Sequence, residues 1–154
     1  DHVEEALEVL SDCEIVIAAV GECSADIGEA TSKTCLRLSP NQEKLIRSLK
    51  EAGKTVITLV FSGRPLEIKP VLPYSDALVQ AWFLGSESAA GLTDVLSGDY
   101  NPSGRLSMSF PQTVGQIPVY YNSYRTGRPY YRRTILYRNI SPARTSRSSP
   151  SDTV

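Results

Sequence analysis

Residues 39–61, with the sequence SPNQEKLIRSLKEAGKTVITLVF, predict a helix that leads directly into a buried strand. Ser39 is the predicted N-cap of this helix, and Gln42 is placed to close a capping box. Gly53 suits the left-handed residue that commonly ends a helix. The strand that follows, residues 55–61, is apolar and rich in β-branched residues, which is typical of a strand covered on both faces.

Similar segments lie on either side of this unit. Helices of this length between apolar strands predict right-handed βαβ connections and a mainly parallel sheet. The further predicted elements are a helix over residues 2–10, a strand over 14–20 covered on both faces, a weaker strand over 77–83, a helix capped by Ser86 that ends at Gly98, and an alternating strand over 105–110.

The composition excludes several classes of function. The chain has 154 residues and a net charge of −1, so it offers no electrostatic reason to bind nucleic acid or an anionic membrane surface. No apolar run approaches the roughly 18 residues of a membrane span. The three cysteines show no metal-binding spacing, which argues against a zinc site, and their odd number argues against a disulfide framework. We expect them to be free thiols at or near the core.

The loop sequence GECSADIGEATSK, residues 21–33, contains three carboxylates directly after the first predicted strand. Loops at the carboxyl ends of parallel strands are where such sheets present ligand sites. A single carboxylate can act as a general acid or base, and a glycosidase requires two, one on each side of the bond that is cut. The loop lacks the glycine spacing of a phosphate cradle. From periodicity alone, solvated loop charges are the favoured interpretation.

Four segments occur in the order and spacing of one known family. They are VGECSADIGEATSK, LSPNQEKLIRSLKEAGKTVITLVFSGRPLEI, AWFLGSESAAGLTDVLSGDYNPSGRLSMSFPQTVGQIPVYYN and TGRPY. On these segments the chain resembles the C-terminal α/β sandwich domain of glycoside hydrolase family 3 over residues 1–130. The resemblance implies a three-layer α/β/α sandwich with a mainly parallel sheet that is incomplete at its N-terminal side.

The resemblance also assigns roles within the loop. Glu29 matches the position of the family's acid/base glutamate. Glu22 is interpreted as a residue that structures the loop by accepting backbone hydrogen bonds, with an acid/base role as the alternative. The predicted substrate-binding residues are Glu22, Ser32 and Lys33, where Lys33 replaces the family's arginine and weakens any contact that needs a bidentate fork. Asp26 is expected to be solvated.

Two side chains outside the loop are interpreted as structural. Arg64, in SGRPL, is expected to pair with a loop acid rather than to contact substrate. Trp82 lies in a predicted strand and is expected to belong to the core rather than to form a sugar platform.

The family implies a retaining, two-step hydrolysis of a β-linked oligosaccharide or glycoside, without a cofactor or metal. The nucleophilic aspartate lies on an N-terminal β/α barrel domain of the same enzyme, the expected partner of this domain. No segment of this chain corresponds to that barrel, so the isolated chain is expected to be inactive. The alternatives are a non-catalytic α/β ligand-binding module and an inactive truncated remnant. The family's common location implies a periplasmic or extracellular protein.

Two expectations concern the ends of the chain. Loss of the first strands of the sheet would leave an unpaired edge and an uncovered apolar face, and so a marginally stable or aggregation-prone chain. Residues 131–154 are expected to be disordered or read from a shifted frame. One permitted back-translation of SRSSPSDTV encodes the family's PLFPFGYG when it is read in another frame.

Overall fold

A computed structural model describes residues 2–117 of the chain. The described elements follow in the order helix, strand, helix, strand, strand, helix, with two short 3-10 turns. They are α1 (His2–Val9), β1 (Ile15–Gly21), α2 (Pro40–Glu51), β2 (Thr55–Phe61), a 3-10 turn (Leu72–Tyr74), β3 (Ala77–Gln80), α3 (Ser88–Ser97) and a second 3-10 turn (Val114–Gln116).

The three strands form a parallel sheet in the order β1-β2-β3. Ile15 of β1 is paired with Thr55 of β2, and Ile57 of β2 with Ala77 of β3. Helix α2 connects β1 to β2 and packs against both strands, and α1 packs against α2. The predicted fold class, an α/β sandwich built on a parallel sheet, is confirmed.

Most of the core lies on the face of the sheet that α2 covers. Ile46 and Leu49 of α2 are fully buried. Thr58, a polar side chain in this core, shares a hydrogen bond of 2.7 Å with the hydroxyl of Ser75, so its burial leaves no unpaired hydroxyl. The buried strand residues of this face alternate with residues of the other face, and they are Val16, Ala18 and Val20 of β1 and their register partners Val56, Thr58 and Val60 of β2.

The other face of β1 is uncovered. Ile15 is 60% exposed and Ile17 is 51% exposed, so the prediction that this strand is covered on both faces is wrong. Exposed and buried positions alternate along β1, so only one of its two faces is covered within residues 2–117. This is the uncovered apolar face that the sequence led us to expect.

The N-terminus of α2 is capped as predicted. The Ser39 hydroxyl accepts a hydrogen bond of 3.4 Å from the Gln42 N–H. Gly53 follows the helix with a φ of +79°, the left-handed conformation expected there. The predicted capping box is not formed, because the Gln42 side chain donates instead to the Gly21 carbonyl at 3.0 Å. The tertiary fold brings that carbonyl, at the end of β1, within reach of the helix start.

Asp76 fixes the start of β3 to the central strand. Its carboxylate accepts a hydrogen bond of 2.8 Å from the Val56 N–H and lies 2.7 Å from the Lys50 ammonium through each oxygen. Its own N–H donates to the Val56 carbonyl at 2.8 Å. The Lys50 ammonium, followed by the Val56 N–H, lowers the pKa of Asp76.

The chain after β3 departs from the predictions. The strand ends at Gln80 rather than at residue 83, because Trp82 has a φ of +60° that an extended strand does not allow. Helix α3 begins after Glu87, whose side chain makes no capping bond, so the predicted cap at Ser86 is wrong. Gly98 ends this helix in the left-handed conformation, as predicted.

Residues 105–110 form no strand, although their apolar positions alternate. Leu106 and Met108 are exposed, and only Phe110 of the alternating positions is buried. Alternation favours a strand only where a neighbouring edge is available for pairing, and no described strand pairs with this segment. Phe110 packs against the half-buried Trp82 with ring centroids 5.8 Å apart, which gives Trp82 a packing role.

All three cysteines, Cys13, Cys23 and Cys35, are free and exposed, so the prediction of core thiols is wrong. Each lies in a connecting segment rather than on a buried strand or helix face. Within residues 2–117 no helix has the length and apolar character needed to cross a bilayer. The predicted domain boundary at residue 130 and the segment 131–154 lie outside the described residues.

Candidate active site

The acidic loop begins where β1 leaves the sheet, at Gly21. This glycine has a φ of +149°, and a Cβ placed on it would lie 1.8 Å from the carbonyl oxygen of Phe61. Immediately after it, the Glu22 N–H donates a hydrogen bond of 2.9 Å to the same carbonyl. The loop therefore starts in close backbone contact with the end of β2, and only glycine allows that approach.

Glu22 points into the protein. Its side chain is 1% exposed, and one carboxylate oxygen lies 3.1 Å from Arg64 Nε and 3.3 Å from Lys33 Nζ. The other oxygen accepts a hydrogen bond of 3.3 Å from the Gly63 N–H. The first oxygen accepts no well-aligned hydrogen bond, so its charge is stabilised by the ion pairs with Arg64 and Lys33. The predictions that Glu22 accepts a backbone hydrogen bond and that Arg64 pairs with a loop acid are confirmed.

Asp26 forms hydrogen bonds and an ion pair although its side chain is 39% exposed, so it is not a merely solvated charge. One carboxylate oxygen accepts hydrogen bonds from the backbone N–H of Cys23 at 3.2 Å and from its thiol at 3.3 Å. The other lies 3.3 Å from Lys33 Nζ. The Cys23 N–H, then the Cys23 thiol and then Lys33 lower the pKa of Asp26. The side chain closes a local turn that composition does not reveal.

Glu22, Asp26, Lys33 and Arg64 together form what we term the loop-base cluster. Two carboxylates face two cations, so the charges of the cluster balance. Arg64 also donates from Nη2 to the backbone carbonyl of Asp26 at 3.2 Å. The cluster thereby joins the start, the middle and the far end of the loop.

Glu29 lies in a tight turn between the ends of the loop. The Thr31 hydroxyl donates to the Gly28 carbonyl at 2.7 Å, and the Thr31 N–H donates to the same oxygen at 3.4 Å. Ala30 takes a φ of +61°, an uncommon conformation for a residue other than glycine. Glu29 is exposed and forms no hydrogen bond or ion pair within residues 2–117. Ser32 is also exposed.

One supporting residue was missed by the sequence reasoning. Ser62 is fully buried, and its hydroxyl donates to the Arg64 carbonyl at 2.8 Å. The Gln80 side chain of β3 donates to the same hydroxyl at 3.0 Å. The segment SGRP at the end of β2 could have suggested a shaped turn, but its link to β3 depends on the tertiary fold.

Of the three carboxylates in the loop, Glu29 is the one without a hydrogen bond or ion pair within residues 2–117, and the loop lies at the carboxyl edge of the parallel sheet. An exposed, unpaired carboxylate can accept or donate a proton, whereas the two paired acids of the loop are held in ion pairs. Hydrolysis with retention needs a second carboxylate about 5–5.5 Å from the first. Within residues 2–117 no cluster of His, Cys, Asp or Glu side chains is arranged to hold a metal ion.

Comparison with known proteins decides the family. The model of the glycosyl hydrolase family 3 C-terminal domain matches residues 1–139. The chain belongs to glycoside hydrolase family 3. This family 3 domain is 43% identical over 128 residues to a periplasmic beta-glucosidase of Salmonella typhimurium, covering 83% of this chain and 17% of that protein. A beta-xylosidase of Formosa agariphila is 33% identical over 117 residues, covering 76% of this chain and 16% of the relative.

Solved structures agree with this assignment. The crystal structure of beta-glucosidase from Listeria innocua in complex with glucose matches this family 3 domain with a TM-score of 0.78 and 46% identity, covering 82% of this chain and 18% of that chain. The chain thus spans less than a fifth of the length of these relatives.

Proposed function

We propose that this family 3 domain supplies the general acid/base of a retaining β-glycosidase, and that Glu29 is that residue. The observation that carries the proposal is the different state of the three loop carboxylates. Glu22 and Asp26 are held in the loop-base cluster, whereas Glu29 is exposed and unpaired within the described residues. Family membership and the match of Glu29 to the family's acid/base position support the same assignment.

In the proposed reaction, protonated Glu29 donates its proton to the glycosidic oxygen as the bond to the anomeric carbon breaks. An aspartate on the N-terminal barrel domain attacks that carbon and forms a glycosyl-enzyme. Glu29, now a carboxylate, removes a proton from water as the water oxygen attacks the anomeric carbon and releases the aspartate. One residue thus serves both steps and returns to its starting protonation state.

The proposed substrate is a β-linked oligosaccharide or glycoside, and the proposed partner is the barrel domain of the same enzyme. Ser32 and Lys33, beside Glu29, are proposed substrate contacts. Glu22 is a further proposed contact, although its burial and ion pairs favour its structuring role. The name of the Salmonella relative supports a periplasmic or extracellular location. Without the barrel, the isolated chain is proposed to be inactive.

The test uses a chimera in which this chain replaces the matching segment of the Listeria innocua beta-glucosidase. Glu29→Gln keeps the size of the side chain but removes proton transfer, so kcat/KM on an alkyl β-glucoside should fall by about 10²–10⁴-fold. A dinitrophenyl β-glucoside needs no protonation of its leaving group, so formation of the glycosyl-enzyme should be nearly unchanged. Azide, which attacks without base assistance, should restore turnover of that substrate.

Glu22→Gln and Asp26→Asn in the same chimera are the controls. Both leave the proposed proton donor in place, so the difference between leaving groups should be much smaller than in Glu29→Gln, and azide should not restore turnover in either variant. If Glu29→Gln behaves like the parent chimera, the assignment is wrong. Saturable sugar binding by the unmodified chain, with no dependence of the chimera on Glu29, would favour the non-catalytic binding module.

A further inference from the structure

Arg64 contacts the acidic loop at two separate points. Its Nε lies 3.1 Å from the Glu22 carboxylate at the start of the loop, and its Nη2 donates to the Asp26 carbonyl at 3.2 Å. A planar guanidinium holds two such groups at a spacing and an orientation set by its rigid fork of donors, whereas a lysine ammonium is a point charge whose donors rotate. The position of the loop is thereby tied to the segment that follows β2.

That segment is itself rigid. The Arg64 carbonyl accepts a hydrogen bond from the buried Ser62 hydroxyl, which in turn accepts one from the Gln80 side chain of β3. Pro65 follows directly and restricts the backbone of Arg64. The guanidinium therefore projects from a backbone that is bonded to Ser62 at the end of β2 and, through the Ser62 hydroxyl, linked to Gln80 of β3.

Lys33 completes the arrangement by joining the two ends of the loop. Its ammonium lies 3.3 Å from Glu22 and 3.3 Å from Asp26, so residues far apart along the loop are held together at its base. Holding the ends of a loop reduces the conformations open to the residues between them. Glu29 lies in that closed segment, three residues after Asp26 and four before Lys33.

We propose that Arg64 is a positioning residue, which holds the loop so that Glu29 presents its carboxyl group in one place at the sheet edge. Arg64 acts through Glu22 and the backbone of Asp26, which its Nε and Nη2 contact. The functional meaning rests on the proposed role of Glu29, whereas the restraint of the loop is a separate property that is measured without catalysis.

The experiment is amide hydrogen exchange of the full chain, followed by NMR, in Arg64→Ala, Arg64→Lys and Arg105→Ala. Arg105 is exposed with no described contact, so its variant is the matched control. In Arg64→Ala the amides of Cys23 and Asp26 should exchange about tenfold faster, as expected for loss of a hydrogen bond to a charged group at a partly exposed site. The amide of Val60 should keep its protection, which reports that β2 is intact.

The Arg64→Lys variant tests whether Arg64 restrains the loop through its two contacts or only by balancing the charge of Glu22. A lysine keeps the charge near Glu22 but cannot also reach the Asp26 carbonyl, so the Gly63 amide should stay protected while that of Asp26 exchanges faster. Equal loop exchange in Arg64→Ala and Arg105→Ala would overturn the proposal. So would full protection of the loop amides in Arg64→Lys, since charge alone would then suffice.

In the chimera, Arg64→Ala should lower kcat on an alkyl glucoside about tenfold or more with KM nearly unchanged, as misplacement of a catalytic group does. An unchanged kcat would refute the catalytic part of the proposal alone.

Discussion

Replacement of Gly21 by alanine is expected to destabilise the domain by about 4 kcal/mol. The new Cβ would lie 1.8 Å from the Phe61 carbonyl oxygen, so the two backbones must separate by about 1.2 Å to reach even a 3.0 Å contact. That movement breaks the 2.9 Å hydrogen bond from the Glu22 N–H to the same carbonyl, at a cost of about 1–3 kcal/mol. The φ of +149° adds backbone strain of order 1–3 kcal/mol for a residue with a side chain.

The assay is urea unfolding of the full chain followed by circular dichroism. A loss of about 4 kcal/mol corresponds to a midpoint lower by about 2 M urea for a denaturant dependence of about 2 kcal/mol per molar. Gly53→Ala is the first control, because Gly53 also has a positive φ but a Cβ there would meet nothing within 4 Å. It should cost only about 1–2 kcal/mol, the ordinary penalty for a side chain in the left-handed conformation. Gly91→Ala, in the open surface of α3, should be neutral or slightly stabilising.

The reasoning is refuted if Gly21→Ala and Gly53→Ala lower the midpoint equally. Strain from positive φ would then explain both effects, and the close approach of β1 to the Phe61 carbonyl would contribute nothing. A second check is local. Gly21→Ala should also loosen the start of the acidic loop, so the Glu22 amide should lose protection from exchange even in conditions where the sheet remains folded.

Two further predictions concern stability. The folded pKa values of Asp26 and Asp76 lie below the ordinary value of 3.8, so their stabilisation is fully present above that value and is lost as the pH falls through the lower folded values. Unfolding free energy measured between about pH 7 and pH 2 should therefore be flat near neutrality and fall below about pH 4, with a shallower fall in Asp26→Asn and Asp76→Asn. Ser39→Ala should cost about 0.5–1 kcal/mol in urea unfolding, the lower part of the N-cap range, because the capping bond is long at 3.4 Å. Ser39→Asn, which retains a capping oxygen, should remain close to the parent, and an equal loss in both variants would contradict the cap.

The helices and strands of the first half were predictable because local patterns determine them. Helix α2 has a cap, an apolar stripe and a terminal glycine in consecutive sequence, and β2 is an apolar run rich in β-branched residues. Chain order and helix length then imply a parallel sheet, since a crossover of this kind is right-handed and returns to the same sheet. The prediction of a strand over residues 105–110 was wrong because alternating apolar residues indicate which face of a strand would be buried, but not whether a neighbouring strand is available to pair with it.

The site was predictable in part. The place of the loop directly after β1 indicated where to look, and the expected pairing of Arg64 with a loop acid is confirmed. The resemblance to the family indicated Glu29 as the acid/base, and that assignment stays a prediction. The bonding of Asp26 was missed because it depends on the Cys23 N–H and on Lys33, which the fold of the loop brings together. The Gln42 side chain was assigned to a local capping box, but the Gly21 carbonyl competes for it once the helix packs beside β1.

The charge balance of the loop-base cluster bears directly on how a single glutamate can act here. Three unpaired carboxylates in one short loop would repel one another, and protonation of one would depend on the state of the others. Arg64 and Lys33 form ion pairs with Glu22 and Asp26, and these pairs offset the charges of two of the three carboxylates. Glu29 then remains as the loop carboxylate without an ion pair within residues 2–117, as its proposed role requires. The two cations at the base of the loop therefore make this acidic loop compatible with the single proton donor that we propose.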